Sequence, residues 1–146
     1  MSVELNKIII RKFIEEVINQ RNFDALDEVC NENAVWHFGS RKEIHGIKEF
    51  RRLNTEAGGA AAFPDFQIII DEMFAEANKV AVRYSVEATH KGEFMGVPGT
   101  GKKVNWNAIV LFEMYNDKIK ESWTCEDTLS LMQQIGVKKI PEKPNT

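Results

Sequence analysis

Val80-Ala81-Val82-Arg83-Tyr84-Ser85-Val86-Glu87-Ala88-Thr89-His90 is the stretch that decides the fold. Val80, Val82, Tyr84, Val86 and Ala88 occupy one set of alternate positions, and Arg83, Ser85, Glu87 and Thr89 occupy the other. A period of two belongs to a strand with one buried face, and it carries His90 onto the apolar side. Upstream, residues 66–77 (FQIIIDEMFAEA) read as a strand closed by a turn at Asn78-Lys79. Downstream, a loop rich in Gly and Pro, residues 91–101, leads into a long strand from Lys103 to Tyr115. Asn116-Asp117 is a two-residue hairpin signal, and Lys118 to Glu126 forms the return strand. Consecutive strands with connections this short make an antiparallel meander.

Before the meander the period is helical. Residues 4–20 place Ile10, Phe13, Ile14 and Val17 on one face, with Arg11, Lys12, Glu15 and Glu16 on the other. Asp24 is expected to cap a short second helix from Ala25 to Cys30. Ala34 to Phe38 reads as a short strand stopped by Gly39-Ser40, and Gly46 to Ala57 as a third helix that ends in Gly58-Gly59. After the meander, Asp127 caps a last short helix ending at Gly136. The expected organisation is one domain over 1–140, with a frayed tail over 141–146 around Pro141, Lys143 and Pro144. Helices segregated from an antiparallel sheet define the α+β class. Strands this long twist and curl, so the three N-terminal helices should cover the concave face of a cone with a pocket at its mouth.

Composition agrees and narrows the function classes. A chain of 146 residues with 43% apolar and 28% charged residues holds a core without disulfides or metal. A net charge of −3 gives no reason to expect nucleic acid or an anionic membrane as partner. No apolar run approaches a membrane span, and Met1-Ser2-Val3-Glu4 reads as the approach to a helix rather than a signal peptide. Cys30 and Cys125 form no C-x-x-C pair; reduced thiols in a cytoplasmic protein are expected, with a single disulfide as the open alternative.

Six anchors stand in order along the chain: Phe63-Pro64-Asp65, Val80-Ala81-Val82-Arg83, Thr89-His90-Lys91-Gly92, Gly96-Val97-Pro98-Gly99-Thr100-Gly101, Asp117-Lys118-Ile119-Lys120-Glu121-Ser122-Trp123 and Gln133-Gln134-Ile135-Gly136. Together they resemble the SnoaL-like polyketide cyclases, from about Asn6 to Gly136. The resemblance implies the nuclear-transport-factor-2-like cone and a ring-closing intramolecular aldol reaction without cofactor. It also implies an Asp on the last strand as acid/base and a His on the preceding strand. Counted without gaps from Pro98 to Gly136, those positions hold Thr124 and Val110. Neither side chain moves a proton as a carboxylate or imidazole does, so the mechanism does not transfer as it stands.

Other residues must then carry any chemistry. His90, on the inward parity, is a candidate base or donor to a carbonyl; the alternative is a ring that bonds the neighbouring loop and fixes the Thr89–Gly92 turn. His37 shares a face with Val35, while Trp36 and Phe38 take the other, and the sequence does not say which pair lines the cavity. His45 falls in a polar loop. Asp127 is a candidate carboxylate or simply the helix cap, and Glu121 is a mouth carboxylate or a cross-strand ion-pair partner. Trp106, Val110 and Phe112 share parity; with Tyr84 and Trp36 they give an aromatic lining for a flat ligand, although the same spacing suits plain core. Ser122 and Thr124 offer hydroxyls to a ligand, Met95 can act as a flexible lid, and Trp123 points to a dimer face.

Gly96 to Lys103 nearly matches a phosphate-binding loop, but Lys103 supplies no hydroxyl for magnesium and a strand follows where a helix is required. The three His lie far apart and make no metal-ligand spacing. The expected function is cofactor-free acid/base catalysis, a cyclase or isomerase, on a hydrophobic carbonyl compound, with a homodimer formed through the convex sheet. The alternatives are a non-catalytic binding protein using the same cavity, and a scaffold that works through its outer sheet.

Overall fold

The computed structural model describes residues 2–39, 42–56, 59–139 and 142. Helix α1 (Val3–Lys12) is capped by the Ser2 hydroxyl, which accepts from the Leu5 N–H. It continues as a π-helical segment over Phe13–Asn19, in which Phe13, Ile14, Val17 and Ile18 are all buried. A 3-10 turn (Phe23–Ala25) runs into the short α2 (Leu26–Val29). Here the structure corrects the sequence reading: Asp24 lies inside the turn and caps nothing, and Cys30 begins a strand instead of ending a helix.

That strand, β1 (Cys30–His37), is longer than the Ala34–Phe38 expected, and the segment read as a polar loop forms a two-residue edge strand, β2 (Ile44–His45). Helix α3 (Ile47–Thr55) follows Gly46, and a short α4 (Gly59–Ala62) was not expected. Ala57 and Gly58, like Pro141 and 143–146 in the tail, lie outside the described residues. The meander then runs β3 (Gln67–Glu76), β4 (Lys79–Thr89), β5 (Lys103–Tyr115) and β6 (Lys118–Glu126), and α5 (Thr128–Ile135) closes the chain.

The six strands form one sheet in the order β2-β1-β6-β5-β4-β3. All neighbours are antiparallel except β1 and β6, which run parallel. Asp71 is the extra residue between Ile70 and Glu72 in β3, and Lys120 the extra residue between Ile119 and Glu121 in β6, so each of these strands carries a bulge. Bulges bend a sheet and increase its twist, which curls this one around the N-terminal helices. The β5–β6 connection is tight because Asn116 and Asp117 both adopt positive φ, 51° and 59°, as a two-residue primed turn requires.

Two of the anchors meet in space. Asp65 accepts from the backbone N–H of Thr89 at 2.7 Å and from its hydroxyl at 2.6 Å. The Thr89 hydroxyl is the main reason the Asp65 carboxyl is held below its ordinary range. Beyond Thr89, the N–H groups of Lys91 and Gly92 both donate to the Ala62 carbonyl, at 2.9 and 3.1 Å. A Cβ on Gly92 would lie 2.2 Å from the Ala61 carbonyl oxygen, and one on Gly99 2.1 Å from that of Lys91. These two glycines are therefore required by close backbone approach, which fits the loop to the sheet end rather than to a phosphate.

Candidate functional site

Strand parity builds the inner wall in rows. Trp36 of β1, Ser122 of β6 and Phe112 of β5 are paired across the sheet. One step along, Thr124 faces Val110 and Val82; one step further, Glu126 and Tyr84 flank Ala108. All of these except Val82 and Ala108 line a cavity of about 380 Å³. Phe13, Ile14 and Ile18 from the first helix and Phe50 from α3 close it from the other side, with Phe63 contributing from the segment after α4. Met95, in the left-handed region at φ 51° and 37% exposed, sits at the open end with Lys42.

The aromatic packing fixes this wall. Trp36 stacks on Phe50 with centroids 4.2 Å apart, and Phe13 meets Phe112 edge-on at 5.8 Å. Phe63 touches Trp106 and Phe94, at 5.4 and 5.1 Å. The Trp106 indole N–H donates to the Glu126 carboxylate at 3.0 Å, which aims that carboxylate along the wall. Among the described lining residues Glu126 is the one carboxylate and Lys42 the one cation.

The candidates Trp36, Tyr84, Met95, Trp106, Val110, Ser122 and Thr124 all lie on the cavity wall. The three acid/base candidates do not. His90 points inward and is fully buried, but its ring lies behind Phe63, with centroids 5.6 Å apart, and is absent from the lining. The Thr100 N–H donates to His90 Nδ1 at 3.3 Å. The side chain thus ties the 91–101 loop to the end of β4.

His37 is on the outer face of the sheet, since Trp36 takes the inner one. Its ring stacks on Trp123 at 5.5 Å and 7°, and it bonds Glu121 at 2.5 Å and Glu43 at 3.1 Å. Glu121 is accordingly a cross-strand partner rather than a mouth carboxylate. Asp127 accepts from the Ser130 N–H at 3.0 Å and caps α5 outside the cavity. Glu126 also lines the cavity, and its parity is legible in the sequence: it stands two residues past Thr124, on the same parity as Ser122.

No set of three or more His, Cys, Asp or Glu side chains placed to hold a metal occurs among the described residues. No helix of the described residues is long and apolar enough to cross a membrane.

A family model described as SnoaL-like polyketide cyclase matches residues 8–135. The chain belongs to the SnoaL-like polyketide cyclase family. Solved structures agree with that membership. AclR of Streptomyces galilaeus, provisionally named a hydroxylase, is 26% identical and superposes with a TM-score of 0.79 over 97% of this chain and 87% of that one. A SnoaL-like polyketide cyclase of Agrobacterium tumefaciens is 22% identical, with a TM-score of 0.75 over 93% of this chain and all of that one. An epoxide hydrolase of M. tuberculosis shares only 14% identity but still reaches a TM-score of 0.70 over 91% and 90% of the two chains. The last two likenesses concern the fold alone, and the span of their names shows how many chemistries this cone hosts. No curated protein matches the chain.

Within the SnoaL-like family the gapless count takes on geometric meaning. Val110 and Thr124, which stand where the resemblance places His and Asp, are direct cross-strand partners and both line the cavity.

Proposed function

We propose that this protein binds a flat, hydrophobic carbonyl compound in the cone and catalyses a cofactor-free proton transfer on it, with Glu126 as the acid/base group. The observation that carries the reading is Glu126 itself, a carboxylate on an otherwise largely apolar wall, oriented by the Trp106 N–H. A carboxylate so placed takes a proton from carbon next to the ligand carbonyl and leaves an enolate. The enolate carbon then attacks a second carbonyl of the same molecule, forming the C–C bond, and Glu126 returns its proton to the resulting alkoxide. The Thr124 hydroxyl, on the same face two residues away, supplies a hydrogen bond to developing oxygen charge. The aromatic rows bind the rings and exclude water.

Glu126→Gln keeps the shape and an acceptor for Trp106 but removes the base. In a screen of 1,3-dicarbonyl and polyketide-like compounds, turnover should fall by roughly 100- to 10,000-fold while binding survives. Unchanged turnover in this variant would remove Glu126 from the role. The cavity pair Val110–Thr124 favours a second reading, a binding protein without catalysis; binding with no turnover by the unaltered protein selects it.

Two further features belong to this proposal. An apolar row, Phe74, Ala81, Leu111 and Trp123, crosses the outer face of the sheet, with Phe74 67% exposed. Exposed apolar surface of this kind on a sheet supports a two-fold homodimer through that face. Light scattering should give twice the chain mass at micromolar concentration. Two free cysteines support a reducing, cytoplasmic setting.

A further inference from the structure

The deep end of the cavity holds two polar hydrogens with nowhere to go. Ser122 Oγ and Trp36 Nε1 are buried, at 0% and 2% residue exposure, and neither has a hydrogen-bond partner. They are neighbours: Trp36 and Ser122 are register partners on the parallel strands β1 and β6, and both line the cavity. Adjacent strands lie about 4.8 Å apart, close enough for both donors to reach one atom. Stacking on Phe50 fixes the indole, so its N–H has a set direction. Buried donors left unsatisfied are destabilising, and two that share one stretch of cavity wall can be satisfied together by a single acceptor.

We infer that Trp36 Nε1–H and Ser122 Oγ–H form a subsite for one acceptor oxygen of the ligand, a carbonyl or a phenolate, at the closed end of the cone. The inference rests on the binding reading given above and adds an orientation to it. Ser122 and Glu126 are four residues apart on one strand, ~13 Å by the strand rise. On that strand the Thr124 hydroxyl lies between them on the same face. The ligand is therefore elongated, enters oxygen first, and presents its opposite end to Glu126 near the mouth. The deep oxygen takes no part in the proton transfer. Its hydrogen bonds hold the reacting end in register, remote binding energy used for positioning.

A matched pair of probes tests this. 2-Acetylnaphthalene carries the acceptor oxygen, and 2-isopropenylnaphthalene has nearly the same shape without it. Equilibrium dialysis gives Kd for each with the unaltered protein, Ser122→Ala, Trp36→Phe and Glu126→Gln. In Ser122→Ala and in Trp36→Phe the acetyl compound should weaken by about 3- to 10-fold, the worth of one hydrogen bond, with the hydrocarbon unchanged. Glu126→Gln should leave the ratio of the two as it was. If both probes bind and the ratio moves in neither variant, the subsite does not exist and the cavity reading stands. If neither probe binds the unaltered protein, that reading falls and the subsite with it. An independent readout comes from the free protein. Ser122→Ala removes an unsatisfied hydroxyl, so its unfolding temperature should rise; a fall would mean that the hydroxyl already has a structural partner, and would overturn the inference.

Discussion

One sheet carries two unlike faces, and a single residue step separates them. Trp36 lies on the inner wall against Phe50, while His37 lies outside between Trp123, Glu121 and Glu43. Thr124 faces the cavity, while Trp123 and Cys125 on either side of it are exposed. Inside, the polar atoms are few, and on the cavity wall Trp36 Nε1 and Ser122 Oγ have no partner. Outside, polar groups pair with each other: Arg83 with Glu72 at 2.7 Å, Ser85 with Asp71 at 2.7 Å, Lys79 with Glu113 at 3.0 Å. A face whose polar groups satisfy one another needs no ligand. The inner face, with aromatic packing and unpaired donors, is the one our proposal gives to the ligand. Exposed ion pairs of this sort add little to stability.

The largest stability contrast should come from neighbours on one strand. Phe112 on β5 is buried against Phe13, whereas Ile109, three residues back, is more than half exposed on the outer face. Phe112→Ala should cost about 3–5 kcal/mol in urea unfolding, through lost burial and the cavity left behind. Ile109→Ala should stay within about 0.5 kcal/mol when measured dilute enough for monomer. Equal losses would mean that the faces do not differ as described. A smaller effect is expected for association. Leu111→Glu puts a charge into the apolar row and should shift light scattering towards the monomer mass while leaving probe binding in the cavity within about 2-fold. A variant that stays dimeric would move the interface elsewhere.

Much of this division was legible in the sequence, because a strand's period of two is visible wherever one side is apolar. The β4 alternation fixed Val82, Tyr84 and His90 inward, and the strand limits of β5 and β6 came out as read. Parity failed where both sides looked alike. In Val35-Trp36-His37-Phe38 each face offers an aromatic ring, and only the parallel pairing of β1 with β6, a long-range contact, decides that Trp36 faces in. Asp24 obeyed the local capping rule but the chain tightened into a 3-10 turn instead. His90 shows a different limit. Its inward direction was readable, but Phe63, which packs against it and lines the cavity in its place, comes from 27 residues earlier in the chain. Glu126 was readable by parity from Thr124; its significance depends on Trp106 reaching it from β5, which the sequence does not show.

The two cysteines sharpen the comparison with the smallest perturbation. Cys30 starts β1 inside the core and Cys125 is exposed on the outer face of β6; both are free. Burial pushes the Cys30 thiol well above its ordinary range, with Lys118 opposing only in part. The thiolate is the nucleophile, so iodoacetamide at neutral pH should alkylate Cys125 and spare Cys30 in the folded protein, with mass spectrometry reading the sites. The same burial has a stability sign. A thiol whose folded value is raised keeps its full contribution below the unfolded value and loses it as pH climbs past that value towards the folded one. Once pH exceeds about 9, the unfolded chain ionises Cys30 and the folded chain does not, so folding should weaken by up to ~1.4 kcal/mol per pH unit from this group. Cys30→Ala should flatten that alkaline slope relative to the unaltered protein. Alkylation of Cys30 in the native state at neutral pH, or an alkaline slope that Cys30→Ala leaves unchanged, would mean that β1 opens readily at its start and that the inner face is less closed than its packing indicates.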